Sequence, residues 1–122
     1  MSETYHTKLG IDPGLRTGAS VLAGFSADDA TIINHFTRTG MSNPATRLWQ
    51  DAKTLIERHE PSEVLIEMPS PHFFGRDNAA TIIRVCEVAA SLGVWTTWLR
   101  GERSKLFSAG DLRRNGNIVA ND

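Results

Sequence analysis

Short apolar runs separated by turn residues cover the first forty positions, and this pattern predicts three strands. Residues 6–12 form the first run, which ends in an aspartate and is followed at once by a Pro-Gly turn. Residues 18–25 form the second run, and residues 31–38 form the third after an Asp-Asp pair. Because the links are short, we expect an antiparallel meander.

The rest of the chain alternates helix-like and strand-like patterns. An Asn-Pro pair opens a helix over residues 44–59, where apolar positions recur at helical spacing. Residues 63–68 have the apolar centre of a strand that is covered on both faces. Beyond them the pattern predicts a helix over residues 76–92 that Gly93 ends, a strand over residues 94–99, and irregular structure over residues 100–122.

The resulting order, β-β-β-α-β-α-β, predicts an α/β fold with a mixed five-stranded sheet and helices packed on its faces. A length of 122 residues fits a single domain over residues 1–122. With one cysteine, Cys86, an internal disulfide is excluded. We see neither an apolar run long enough to span a bilayer nor a signal-peptide core, so we expect a cytoplasmic protein without a membrane partner.

Charge is distributed unevenly although the net charge is only −1. Residues 1–75 carry six Lys and Arg against nine Asp and Glu, whereas residues 76–122 carry seven against five. The basic excess in the second part permits a surface that faces phosphates. An ordinary solvated face is the alternative explanation.

Two acidic residues, Asp12 and Glu67, stand at or near the ends of apolar strands. If those strands are parallel neighbours, both carboxylates emerge at one edge of the sheet, where sites of α/β proteins gather. Paired carboxylates repel each other unless a hard cation such as Mg²⁺ or Mn²⁺ lies between them. The alternatives are that Asp12 only forms the turn and that Glu67 is a surface charge.

The chemistry that such a centre favours is phosphodiester hydrolysis. Two divalent ions roughly 3.5–4 Å apart can activate a water and stabilise the leaving oxygen. Glycines at positions 10, 14 and 18 would let a phosphate approach the carboxylates closely.

Three segments carry a family resemblance. Residues 9–18 (LGIDPGLRTG) resemble the opening strand of the RuvC family of Holliday-junction resolvases, which are ribonuclease H-like nucleases. Residues 64–67 (VLIE) resemble that family's second acidic strand. Residues 73–81 (FFGRDNAAT) resemble its aromatic loop and the start of its next helix. The resemblance extends over residues 8–99.

The resemblance implies a ribonuclease H-like fold and a homodimer that cuts branched DNA near a four-way crossover, in recombination or repair, in a bacterium or for a virus in its host. It implies that Asp12 and Glu67 are catalytic ligands of Mg²⁺ or Mn²⁺. It also implies that Phe73 or Phe74 stacks on unpaired bases. With the cations that cluster late in the chain, the DNA-contacting candidates are Phe73, Phe74, Arg76, Asn78, Arg100, Arg103, Lys105, Arg113 and Arg114.

The chain departs from the family in one respect, because a final helix with further acidic ligands is not evident. Asp111 and Asp122 are the remaining candidates for a third metal ligand. A second hypothesis is therefore a module of the same fold that binds branched DNA without cleaving it. A third is an ATP-using domain of the actin or sugar-kinase type, which also begins with an acidic turn after a strand but needs two such domains.

Overall fold

A five-stranded mixed sheet with two helices forms the part of the chain that the computed structural model describes, residues 5–14, 16–26, 28–39, 44–69 and 79–108. The elements are β1 (His6–Asp12), β2 (Arg16–Gly24), β3 (Thr31–Thr39), α1 (Pro44–His59), β4 (Glu63–Met68), α2 (Ala79–Arg100) and β5 (Lys105–Ser108). The strand order across the sheet is β3-β2-β1-β4-β5. The predicted α/β class and element order are confirmed.

The meander and the crossovers give the sheet its mixed character. β1 pairs antiparallel with β2, and β2 pairs antiparallel with β3. β4 returns beside β1 in the parallel direction after α1, and β5 pairs parallel with β4 after α2. Since β1 and β4 are parallel neighbours, their carboxyl ends lie at one edge of the sheet. We call this edge the carboxyl edge and the other the amino edge.

The hydrophobic core lies between one face of the sheet and the helices. Apolar side chains of β1 and β4 alternate with residues on the opposite face, as the period of a strand requires. On α1 the buried positions follow helical spacing. The core comprises Leu9, Ile11, Ala19, Val21, Leu48, Ala52, Leu55, Ile56, Val64, Ile66, Val88, Ala89 and Leu92.

An ion pair attaches the end of β3 to α1. The Arg38 guanidinium donates to both carboxylate oxygens of Asp51, at 2.6 Å from Nε and 3.0 Å from Nη2. Asp51 is buried, so this bidentate pair compensates the cost of removing its charge from water. Trp49 and Trp95 add a contact between the helices, with ring centroids 5.7 Å apart.

The second helix is longer than the sequence pattern predicted, and the predicted strand over residues 94–99 is wrong. Those residues continue α2, because Thr96 extends the buried stripe of Val88 and Leu92 at helical spacing. The Thr96 hydroxyl donates to the Leu92 carbonyl at 2.7 Å. Gly101, with φ of 73°, takes the left-handed conformation just after the helix.

The fifth strand lies instead at Lys105–Ser108, within the segment that was expected to be irregular. Gly93 therefore lies inside α2 rather than at its end, and an added Cβ would contact Leu106 of β5 at 3.5 Å. The loop between α2 and β5 is held by Ser104, whose hydroxyl shares a hydrogen bond of 2.6 Å with that of Thr96.

The expectation that no segment could span a bilayer is also wrong. Judged by length and composition alone, α2 is long and apolar enough to do so. Core helices of soluble proteins have the same properties. Here α2 buries Val88, Ala89 and Leu92 in the core beneath the sheet. The absence of a membrane partner stays a prediction.

Candidate active site

Asp12 and Glu67 come together at the carboxyl edge of the sheet. The parallel register pairs Ile11 with Ile66, so the next residue of each strand, Asp12 on β1 and Glu67 on β4, lies beside the other. Because Ile11 and Ile66 point into the core, the two carboxylates lie on the opposite face. The parallel pairing of neighbouring strands, on which the argument from the sequence depended, is the one observed.

The two carboxyl groups interact directly, and the described residues place no cation beside them. Burial raises the pKa of Glu67, and the negative charge of Asp12 and a hydrogen bond between the two side chains raise it further. Among the described residues, neither group has a Lys, Arg or His within ion-pair distance. A carboxylate pair of this kind favours a shared proton or a cation.

The turn after β1 orients Asp12. Its Oδ1 accepts a hydrogen bond of 3.0 Å from the backbone N–H of Gly14. An added Cβ at Gly14 would lie 3.1 Å from that oxygen, so glycine permits the carboxylate to fold over the turn. Asp12 is thus a turn former, as the alternative explanation held, and its exposed carboxylate also faces Glu67.

A groove of about 340 Å³ opens on this face of the sheet beside the carboxylates. Its polar and glycine lining consists of Gly10, Asp12, Thr17, Gly18, Ser20, Thr37 and Glu67. Phe107 of β5, the register partner of Glu67, is an apolar part of the wall. The groove therefore joins an acidic pair to a floor that includes the glycines at positions 10 and 18.

The donor set fits a hard divalent cation. Carboxylate oxygens are the ligands that Mg²⁺ and Mn²⁺ prefer, and Mg²⁺ commonly binds one or two carboxylates together with waters and substrate phosphates. Within the described ranges no group of three His, Cys, Asp or Glu side chains gathers. The two candidate third ligands, Asp111 and Asp122, lie outside the described residues.

Several DNA-contacting candidates also fall outside the part of the chain that the structure describes. They are Phe73, Phe74, Arg76, Asn78, Arg113 and Arg114. Their role as DNA contacts stays a prediction.

The other three cationic candidates, Arg100, Arg103 and Lys105, lie toward the amino edge, away from the carboxylate pair. Arg100 ends α2, and its side chain is 7% exposed; its guanidinium donates to the backbone carbonyl of Ser62 at 2.9 Å. Lys105 forms an ion pair with Glu63. Because α2 continues through the predicted fifth strand, Arg103 precedes β5 and Lys105 begins it, at the amino edge.

Ser20, Thr37 and Phe107 are among the residues of the groove that sequence reasoning missed. Ser20 alternates with Gly18 on β2, which is a usable signal for a shared face. Thr37 required the pairing of β2 with β3, and Phe107 required a strand that the local pattern did not indicate.

Comparison with known proteins places the fold among RuvC structures. No family model matches the chain, and no curated protein matches it significantly in sequence. RuvC of Thermus thermophilus in complex with Holliday junction substrate matches with a TM-score of 0.67 and 20% identity, over 84% of this chain and 63% of that one. A second Thermus thermophilus RuvC structure matches with a TM-score of 0.64 and 18% identity, over 84% and 64% of the two chains.

These matches establish a RuvC-like, ribonuclease H-like α/β fold. The match spans less than two thirds of each RuvC chain, and the identity is low. In this chain, the parallel pairing of β1 with β4 brings Asp12 beside Glu67.

Proposed function

We propose that this chain is a metal-dependent endonuclease that hydrolyses phosphodiester bonds of branched DNA near a four-way crossover, in recombination or repair. The observation that carries the proposal is the pair of Asp12 and Glu67 beside an open groove, which has no cationic partner among the described residues. The fold adds support, since one matching structure is a RuvC in complex with Holliday junction substrate. The activity would take place where DNA is accessible, in the cytoplasm of a bacterium or of an infected host cell.

In this proposal Asp12 and Glu67 are the residues that hold Mg²⁺ or Mn²⁺. When bound, such an ion supplies positive charge that polarises the phosphodiester and makes water a better nucleophile. The hydrogen bond from Gly14 to Oδ1 fixes the orientation of the Asp12 carboxylate. Gly10 and Gly18 leave room on the floor for the backbone of the nucleic acid.

A homodimer is part of the proposal, and the exposed apolar face of α2 supports it. Val94 is 67% exposed, Trp98 is 81% exposed, and Leu106 of the adjoining β5 is 48% exposed. An apolar patch of this kind on a soluble protein is typical of an interface, and a two-fold dimer is the commonest symmetric assembly.

The nuclease proposal is tested on a synthetic four-way junction with a linear duplex of the same sequence as the control. We expect nicks near the crossover with Mn²⁺ or Mg²⁺, none with EDTA, and binding without nicks with Ca²⁺. Equal cutting of the linear duplex would contradict the preference for branched DNA.

The proposed dimer is tested by sedimentation. Trp98→Lys is expected to shift the dimer toward monomer, whereas the control Thr54→Lys, at an exposed position of α1, is expected to leave it unchanged.

A second candidate function is a module that binds branched DNA without cleaving it. The observation that favours it is that only two carboxylates gather at the site within the described residues. Losing a metal ligand can remove most of the rate while binding persists. Junction binding in Ca²⁺ with no nicks in either Mn²⁺ or Mg²⁺ would decide for this candidate.

A further inference from the structure

The groove has a second wall opposite the carboxylates. The register pairs Asp12 of β1 with Gly18 of β2, and Gly18 with Thr37 of β3. One step deeper, Gly10 pairs with Ser20. Directly opposed residues of antiparallel strands share a face, so the hydroxyl-bearing residues stand on the same side of the sheet as the carboxylates.

The hydroxyl groups of this wall have free hydrogen-bonding capacity. Within the described residues, the Ser20 and Thr37 hydroxyls make no hydrogen bond, whereas those of Thr17 and Thr96 both do. Thr37 is exposed and Ser20 is half-buried. Each can donate one hydrogen bond to an acceptor that enters the groove.

Within the described residues, nothing requires a glycine at position 10. It lies in the middle of β1, where glycine weakens a strand, and a Cβ built there would meet none of the described atoms within 4 Å. The positive-φ glycine in the described ranges is Gly101, not Gly10. A strand glycine beside open space is typical of a place where a ligand approaches the backbone closely.

The dimensions of the groove select its occupant. Asp12 and Thr37 are separated by two strand spacings, about 10 Å, with Gly18 between them. That width matches one sugar–phosphate backbone and is narrower than a double helix. An added Cβ at Gly18 would lie 3.2 Å from the Phe36 carbonyl oxygen, so position 18 accepts no side chain without a shift.

We infer that the groove seats a single DNA strand between the carboxylate pair and a hydroxyl wall, in which Ser20 and Thr37 donate hydrogen bonds to a phosphate next to the scissile one. This inference rests on the proposed nuclease function and adds the residues that position its substrate. Acceptor oxygens of a phosphate carry charge, and hydrogen bonds to charged groups are the stronger kind. The two hydroxyls thereby set the position of the strand relative to Asp12 and Glu67.

The first test removes each hydroxyl and changes the size of the side chain little. Thr37→Val keeps the branched side chain, and the same change at exposed Thr31, near the start of β3, is the matched control. We expect Thr37→Val and Ser20→Ala each to lower kcat/KM on a junction about 10-fold, because each loses a hydrogen bond to a charged acceptor. Thr37→Ser restores the hydroxyl and is expected to recover the wild-type value, while Thr31→Val stays unchanged.

The second test fills the floor. Gly10→Val adds a branched side chain into open space in a strand, so its melting temperature is expected to equal or exceed that of the wild type. Binding of a junction in Ca²⁺ is expected to weaken at least 10-fold. The shift in melting temperature caused by Mn²⁺ is expected to persist, since no carboxylate is changed.

The outcomes separate this inference from the proposed function. If the wild type binds and cuts junctions but folded Thr37→Val and Gly10→Val proteins do so equally well, the inference is wrong and the nuclease stands. A folded Thr37→Ser protein that remains as impaired as Thr37→Val also overturns the hydroxyl contact. A wild type that neither binds nor cuts DNA overturns the proposed function and the inference with it.

Discussion

Glu63 and Glu67 occupy the same strand and the same face of the sheet, four positions apart, yet their surroundings are opposite. At the amino edge, Glu63 lies between two lysines, with Lys8 Nζ at 2.7 Å from Oε2 and Lys105 on the other oxygen. At the carboxyl edge, Glu67 lies beside Asp12 and, among the described residues, has no cation in reach.

The two environments move the carboxyl groups in opposite directions. Hydrogen bonds from Lys105 and Lys8 lower the pKa of Glu63. Burial, followed by the charge of Asp12, raises the pKa of Glu67. A carboxylate that is paired with lysines of the same protein stabilises the sheet. A carboxylate without a cationic partner among the described residues indicates a site for an external cation.

The largest expected effect is on junction cleavage, which should depend on the carboxylates of the carboxyl edge and not on Glu63 at the amino edge. Asp12→Asn and Glu67→Gln are each expected to lower junction cleavage at least about 100-fold, because residues that merely orient metal ligands already contribute about 10–100-fold. Glu63→Gln is the matched control on the same strand and should cut within a few-fold of the wild type. Rates are measured with Mn²⁺ in excess, and a strong loss in Glu63→Gln alone would reverse the assignment of the two edges.

The next effect is stabilisation by metal. An ion that binds the folded protein stabilises it by about 2.7 kcal/mol when its concentration is 100 times the Kd. We expect Mn²⁺ to raise the melting temperature of the wild type and of Glu63→Gln, and EDTA to reverse the shift. The double variant Asp12→Asn with Glu67→Gln should show no shift, and a shift that survives in it would place the ion elsewhere.

Stability without metal is expected to change in opposite directions at the two positions. At pH 7 in EDTA, Glu63→Gln should lower the free energy of unfolding by about 1 kcal/mol, in the range of exposed ion pairs. Glu67→Gln should raise it, because the variant removes repulsion with Asp12. Urea unfolding monitored by circular dichroism measures both, and equal signs would contradict the contrast.

The pH dependence follows from the same shifts. The lowered pKa of Glu63 contributes stability above its unfolded-state pKa, and this contribution is lost as the pH falls through the folded-state pKa. The raised pKa of Glu67 makes its charge destabilising at neutral pH, and protonation relieves this as the pH falls. Both variants should therefore approach the wild type in acid.

The smallest effect is expected where a glutamate has neither kind of partner. Glu57 is exposed on α1 and, within the described residues, forms no ion pair. Glu57→Gln should leave the free energy of unfolding within about 0.5 kcal/mol of the wild type at all pH values. A larger change, seen in the same urea titrations, would show that carboxylate substitutions act through net charge and not through local partners.

The elements up to β4 could be predicted from the sequence because their signals are local. Alternation and turn residues defined the meander, and the helix over residues 44–59 matches α1 as observed. Those signals require only neighbouring residues, so no knowledge of the packing was needed.

The region after residue 93 could not be predicted in the same way. Residues 94–99 are rich in β-branched and aromatic types, which favour a strand locally. In the folded protein Thr96 continues the buried stripe of α2, and this packing overrides the local preference. The actual strand, Lys105–Ser108, is too short and too polar to stand out.

The candidate site could likewise be predicted only in part from the sequence. The sequence alone shows that Asp12 and Glu67 stand at or near the ends of apolar strands, and this was enough to predict a pair of carboxylates. Tertiary structure alone decided that Ser20, Thr37 and Phe107 share their groove, because register is needed to bring separate strands into line. It also decided that Arg100 and Lys105 serve the amino edge, since a cation's role depends on which acceptors the fold places around it.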